Sequence, residues 1–582
     1  MLSLESQLCR HGRMGADQSD NTRKVVLKFI ETTDVHGNFL SYDFINDRAY
    51  HGGLSKVEAY VRRQRNLWGE DHCILLDGGD ILEGQPCAYF ANFIAKNEVH
   101  LAADIMNFMG YDAAAFGNHD FEVGHDVYDK WVHDCHFPIL GANIIRSADH
   151  QPYAKPYTII KKDGIRIALL GLITPAIPMW LPEQLWSGIY FDDIVESARK
   201  WVQFIRQEEQ PDIMVGLFHT GLKEEGLNGF NENAAEEIAS LVPGFDLIFF
   251  GHDHRACAVE ITNQVDGKTI WALNAGGGTM QVAEAVVTCI VSDEGTHIEQ
   301  VSGQLVSIKE YPTDLTFSQR YNNYKNQVKE FVSKKIGELN TPIYTIDYFF
   351  GPSPLGTLLH TVQINHVNVD ISLSAPLTYD EVIHAGDIHI RDIFKLYRYE
   401  NLIEVFRLTG KEVRGALERS YDLLTNLEME DSFGKVLYII KSRNKHYIGA
   451  FSPFLITAAG IRYVVDLTKP MGEKVSILTD AQGEPFDYDK TYLVAVNSYI
   501  GSGGGGLLTD GAGLTMQELS KRIVMISQKD IRSCINDYFA QAKTPVEIPI
   551  TDNWEYIFDD ETRQAFEEDK KLLLGRRKHI RH

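Results

Sequence analysis

Cys73 to Gly84 reads CILLDGGDILEG. A short apolar run, a carboxylate, two glycines and a second carboxylate describe a buried strand that turns tightly and delivers Asp80 at its carboxyl end. The same grammar recurs through the first half of the chain. VVLKFIETT (25–33) runs into Asp34-Val35-His36-Gly37-Asn38, and AAAFG (113–117) into Asn118-His119-Asp120. DIMVGLF (212–218) runs into His219, and DLIFFG (246–251) into His252-Asp253-His254. Amphipathic stretches such as DIVESARKWVQFIRQ (193–207) and NAAEEIASLV (233–242) lie between them. Strands alternating with helices in this way predict a layered α/β domain. Open α/β sheets collect their ligand loops at the carboxyl ends of the strands, so five loops spread over more than two hundred residues can meet in space.

The residue types in those loops point to one chemistry. Asp34, His36, Asp80, Asn118, His219, His252 and His254 offer carboxylate, amide and imidazole donors without a thiolate. This suits divalent Zn, Mn, Co or Fe better than Ca²⁺ or Cu⁺. Seven donors exceed one tetrahedral site and suit two ions sharing a carboxylate, a centre able to polarise phosphate and activate water. Each motif alone has a plainer reading. His219 after a buried strand reads as a satisfied structural histidine, Asp80 as a helix cap, and GHDH as a turn with solvated imidazoles. Five in one order, each behind a strand, outweigh those readings together.

Composition narrows the rest. At 582 residues the chain exceeds what a single core holds, so two domains are expected. A formal charge of −24 disfavours a surface that coats a nucleic-acid polymer. The longest apolar stretch, Ile167 to Leu181, is broken by Thr174, Pro175 and Pro178, which excludes a membrane helix there. Seven scattered cysteines make neither a disulfide framework nor a thiolate zinc site. The first residues are polar and carry no apolar signal-peptide core. The expected division is a disordered leader over 1–23, a catalytic domain over 24–315, and a polar linker helix without a strong core stripe over 316–340. A second domain over 341–550 and a charged tail over 551–582 complete it. No internal repeat is visible, and the sequence leaves the oligomeric state open.

The ordered motifs D-x-H, GD, GNH[DE], H and GHxH resemble those of the calcineurin-like binuclear metallophosphatases. TTDVHGN, LLDGGDILEG, FGNHDFEVG, LFHTGL and GHDH, with a second domain behind them, resemble the 5′-nucleotidase and 2′,3′-cyclic-nucleotide 2′-phosphodiesterase group. The resemblance spans about Val25 to residue 550. It implies a four-layer α/β/β/α metallophosphatase domain followed by an α+β 5′-nucleotidase-type substrate-binding domain. It also implies two divalent ions, one held by Asp34, His36, Asp80 and His254, the other by Asp80, Asn118, His219 and His252. His119 would stand beside the phosphate with Glu122 as its acidic partner, where many relatives have Asp, while Asp120 reads as structural.

Within the group, two departures point toward the bifunctional cyclic phosphodiesterase/3′-nucleotidase branch. The arginine-bearing NGGGIR segment of a typical 5′-nucleotidase is replaced by SLSAPLTYDEVIHAGDIHIRDIFKLYRYEN (372–401), and a GGDGY-like loop by GSGGGG (501–506), with Gly505 at the aspartate position. Relatives clamp the base between two rings, which here implies Tyr499 and Phe454. The implied ligand is a small nucleotide. The alternatives are a 5′-nucleotidase or UDP-sugar hydrolase, a sulfur-compound hydrolase, or a binding protein that kept the fold. The resemblance also implies export to the periplasm or cell surface, for which this sequence shows no signal peptide.

Overall fold

The computed structural model describes residues 22–574 except 224–230, 379–380, 426–431, 443–444 and 450–454. Its first half is built on two six-stranded sheets. In the first, β1 (Arg23–Thr32), β2 (Cys73–Asp77), β3 (Ala113–Ala115) and β4 (Ile139–Leu140) run parallel. The long hairpin Gln281–Ser292 and Gly295–Ser307 pairs antiparallel to the far side of β1. The second sheet has a parallel centre of β5 (Ile165–Ile173), β6 (Ile213–His219), β7 (Leu247–Phe250) and β8 (Thr269–Asn274). Antiparallel strands Tyr157–Lys162 and Cys257–Thr262 edge it.

Between the sheets lies a dry core of Leu27, Phe29, Ile74, Leu76, Leu169, Val215, Leu217 and Phe249 with their neighbours. Strands buried on both faces must be apolar almost without interruption, and the runs that first marked them are. Helices Leu54–Trp68, Leu101–Met109 and His125–Asp134 cover the outer face of the first sheet. Ile194–Glu208 and Ala235–Leu241 cover that of the second. The expected α/β/β/α layering is present.

The second half mixes a five-stranded sheet (order Thr457–Ala459, Ile371–Ser374, Thr491–Asn497, Leu402–Thr409, Ile523–Asp530) with a three-stranded one of Val475–Asp480, Ile461–Asp466 and Trp554–Ile557. Helices Pro354–Val367, Gly410–Leu424 and Ile531–Gln541 pack on them around one separate core.

Two segments differ from the sequence reading. The expected linker is helical over Leu315–Val332 only, and Lys335–Leu339 is a strand paired with Gly386–His389. That helix does carry a core stripe: Phe317, Tyr321, Val328 and Val332 are buried against the first domain. The polar residues between them hide this spacing from a reading by composition. The segment beyond 550 adds the strand Trp554–Ile557 and the helix Asp560–Leu574, whose Phe566 is buried in the second core. Charged residues cover its outer face. Among the described residues no helix is long and apolar enough to cross a membrane.

Candidate metal centre and cleft

The site stands at the carboxyl ends of both sheets. Asp34 and His36 follow β1, Asp80 follows β2, and Asn118 and His119 follow β3. His219 ends β6, and His252 and His254 follow β7. Asp34, His36, Asp80, His252 and His254 all have positive φ, between 46° and 85°. That left-handed backbone disfavours residues with side chains, and its concentration here marks loops held by their surroundings to aim those side chains. Two glycines permit the close approach. A Cβ on Gly117 would meet Asp80 Oδ1 at 2.1 Å, and one on Gly251 would meet Thr33 Oγ1 at 2.0 Å.

Asp34, His36, Asp80 and His254 each offer one ligand atom, all within 4.8 Å of one another. His36 Nε2 lies 3.0 Å from His254 Nε2, and His254 Nε2 lies 3.3 Å from Asp34 Oδ1. Beside them, His219 Nε2 is 3.1 Å from Asp80 Oδ2 and 3.0 Å from Asn118 Oδ1, and His252 Nδ1 is 2.8 Å from the same amide oxygen. All seven donors named from the sequence are therefore brought together, with Asp80 between the two groups.

The far nitrogens show what this arrangement requires. His219 Nδ1–H donates to the Gly78 carbonyl at 2.7 Å, and His252 Nε2–H to Glu232 Oε1 at 3.1 Å. Glu83 Oε2 stands 3.3 Å from His36 Nδ1. With those nitrogens engaged outward, each ring turns its other nitrogen, the one whose lone pair a metal would take, toward carboxylate and amide oxygens. Asp80 Oδ2, wholly buried, has no hydrogen-bond partner. Such converging lone pairs repel unless a positive charge sits among them, so the donor set fits divalent cations.

The titration shifts express the same demand. Burial works against a charge on His219, yet Asp80 and Asp34 outweigh it and push its pKa up to about 9. Burial raises Asp34, but the His254 hydrogen bond and the charge of His219 bring it down to about 2.

His119 is placed differently. Its backbone N–H donates to Asp80 Oδ1 at 2.8 Å, and its Nδ1–H to Glu122 Oε1 at 2.7 Å. Burial opposes its charge, but Glu122 and Asp80 raise its pKa well above the usual histidine value. Asp120 accepts from the backbone N–H groups of Asp80, Ile81, Leu82 and Gly117 at 2.8–3.1 Å, a fully engaged carboxylate that shapes the loop.

A cavity of about 300 Å³ opens from this centre between the domains. The first domain contributes Asn118, His119, Glu122, Trp180, Glu232 and His252, and the second contributes Leu377, Tyr399, Asn401 and Tyr499. Tyr399 lies nearly parallel to the His119 ring, 6.2 Å away. Tyr499 is thus in the cleft, whereas Phe454 lies outside the described residues. Sequence reasoning missed Glu83, Trp180, Glu232 and Tyr399. Of these only Glu83 had a local signal, three residues after Asp80 in the stretch that decided the fold.

Residues 27–256 match the profile of calcineurin-like phosphoesterases, and residues 335–510 that of the 5′-nucleotidase C-terminal domain. The chain carries a calcineurin-like phosphoesterase domain and a 5′-nucleotidase C-terminal domain. This phosphoesterase, a hydrolase of phosphoric esters, is 26% identical over 605 residues to the trifunctional nucleotide phosphoesterase YfkN of Bacillus subtilis. That alignment covers 94% of this chain but 40% of YfkN. It is also 26% identical to the 2′,3′-cyclic-nucleotide 2′-phosphodiesterase/3′-nucleotidase of Salmonella typhimurium, over 84% of this chain and 82% of that protein. Protein UshA of Escherichia coli is 25% identical, over 84% and 88% of the two chains. Among solved structures, the 5′-nucleotidase precursor of Thermus thermophilus has the same fold, with a TM-score of 0.61 and 20% identity over 92% of this chain and 100% of that one. A candidate 5′-nucleotidase of Staphylococcus aureus superposes with a TM-score of 0.73 and 19% identity, over 91% and 99%.

Proposed function

We propose that the protein is a nucleotide phosphoesterase, acting as a 2′,3′-cyclic-nucleotide 2′-phosphodiesterase with 3′-nucleotidase activity. The observation that carries the hydrolytic reading is the convergence of seven donors around the unpartnered Asp80 Oδ2, at the inner end of a cleft walled by both domains. Asp34, His36, Asp80 and His254 would hold one divalent ion. Asp80, Asn118, His219 and His252 would hold the other, with Asp80 shared. When bound, the pair would neutralise phosphoryl oxygens and lower the pKa of water.

The chain's own groups supply the rest. Gly78, Glu83 and Glu232 fix the outward nitrogens of three ligand imidazoles and so keep their inward faces set. Glu122 holds His119 Nδ1–H, which leaves Nε2–H free to protonate the departing ribose oxygen. With a 2′,3′-cyclic substrate, water adds at phosphorus, the bond to O2′ breaks and His119 protonates O2′, leaving a 3′-nucleotide. A second attack releases nucleoside and inorganic phosphate. Tyr499, and Tyr399 above His119, offer ring faces to the nucleoside, a mode of holding that tolerates any base.

The choice of branch is supported by relatives of that name and by the sequence of the second domain. Leu377, from the stretch that replaces the arginine-bearing segment, lines the cleft. Phosphate release from 2′,3′-cyclic AMP, 3′-AMP and 5′-AMP in parallel, with chelator and with Mn²⁺ or Zn²⁺ restored, tests both levels. Preference for 5′-AMP would move the protein to the 5′-nucleotidase branch. Chelator-insensitive turnover would end the dimetal reading.

A further inference from the structure

Glu232 stands where the metal centre meets the cleft. One carboxylate oxygen takes the outward N–H of His252 at 3.1 Å, and the side chain, 23% exposed, lines the cleft together with Tyr499. The residue is anchored from behind. Thr220, directly after His219, donates its hydroxyl to the Glu232 carbonyl at 2.6 Å and accepts from Ala234 N–H at 2.9 Å. These bonds hold the backbone at Glu232, and the bond to His252 orients its carboxylate. Glu122, only 12% exposed, lines the same cleft too, but its charge is paired with the His119 ring at 2.7 Å. The other lining groups named above are rings, amides and Leu377.

A phosphate bound at the centre would place the remainder of a nucleotide along this wall. Ribose hydroxyls or a base amine can donate to Glu232, whereas a second phosphate would face fixed negative charge in a partly desolvated space. We propose that Glu232 is a specificity-determining residue that confines the enzyme to substrates whose only anionic group is the phosphate at the metal centre, so that nucleoside bisphosphates and polyphosphates are poor substrates. This rests on the nucleotide reading above and names the substrate class within it.

The test compares kcat/KM for 3′-AMP and adenosine 3′,5′-bisphosphate. Glu232→Gln keeps an oxygen to accept from His252 while removing the charge, and metal content is measured alongside. The native enzyme should favour 3′-AMP by about tenfold or more, and E232Q should narrow that ratio about fivefold with both metals retained. Leu377→Lys, which adds a cation to the same wall without touching a metal-centre residue, should narrow it too and serves if E232Q fails to accumulate. Equal turnover of the two substrates by the native enzyme, or a ratio unmoved by the substitution, overturns the assignment. Absence of phosphate release from any nucleotide would instead overturn the nucleotide reading itself.

Discussion

The two domains each bury histidine among polar groups, with opposite results. In the first, His219 is surrounded by Asp80, Asp34 and the Gly78 carbonyl, and its pKa rises to about 9. In the second, His360 is held by hydroxyls, Nδ1 2.9 Å from Ser372 Oγ and Nε2 2.9 Å from Thr457 Oγ1, and burial pushes its pKa down to about 3. Both rings are shut away from water, so burial alone does not decide the outcome. Carboxylates make the first site hungry for positive charge. Neutral hydroxyls make the second complete as it stands, a packed network tied to Tyr348 through Thr457. A buried polar cluster left short of positive charge reads as a site, and one that is satisfied reads as structure.

The contrast can be broken most severely at Asp80. Asp80→Asn should release metal and lower kcat/KM by about 10⁵-fold, read by elemental analysis and phosphate release, because the oxygen between the two donor groups loses its charge. Full metal content and near-native turnover in D80N would contradict the shared-carboxylate arrangement. His119→Gln should cost about 10³-fold in kcat while metal content stays native, since it removes the proton donor and none of the seven donors. A parallel loss of metal would place His119 among the ligands instead.

These two residues also show how far the sequence can be read. Asp80 and His119 were visible because each follows an apolar run by a fixed short distance, and strand period and loop position are local properties. Glu122, three residues after His119, was visible too, but the groups that distant segments bring to the site were not. The Gly78 carbonyl that orients His219 is 141 residues away in sequence, and Tyr399 reaches His119 from the other domain. Such pairings depend on how two sheets and two domains stack, and no local spacing encodes that. The buried stripe of the helix Leu315–Val332 escaped for a related reason: four apolar positions among polar neighbours become a stripe only when a partner surface covers them.

Smaller effects sharpen the comparison on the second domain's side. Tyr499→Ala should raise KM for nucleotides about tenfold with a smaller change in kcat, through loss of one stacking face. An unchanged KM would remove Tyr499 from the substrate's path. At His360 the pH dependence has a definite sign. Between its ordinary value of 6.5 and its folded value of about 3, the unfolded chain binds a proton that the folded chain excludes. This term therefore lowers stability as pH falls through that window and vanishes above it. His360→Gln should flatten the loss of urea midpoint between neutral and acid pH relative to the native protein. An unchanged slope would mean that the ring takes up its proton within the fold.

By itself the sequence determined the alternation of buried strands with amphipathic helices, and the seven donors with His119 at strand ends. Both follow from residue type and short-range period. Tertiary structure decided that three donors come from one sheet's neighbour, which carbonyl or carboxylate turns each imidazole inward, and that Glu232, Trp180 and Tyr399 wall the cleft. Those outcomes depend on contacts between segments that meet only after the layers have packed, where the burial of apolar faces fixes distances that chain separation leaves free.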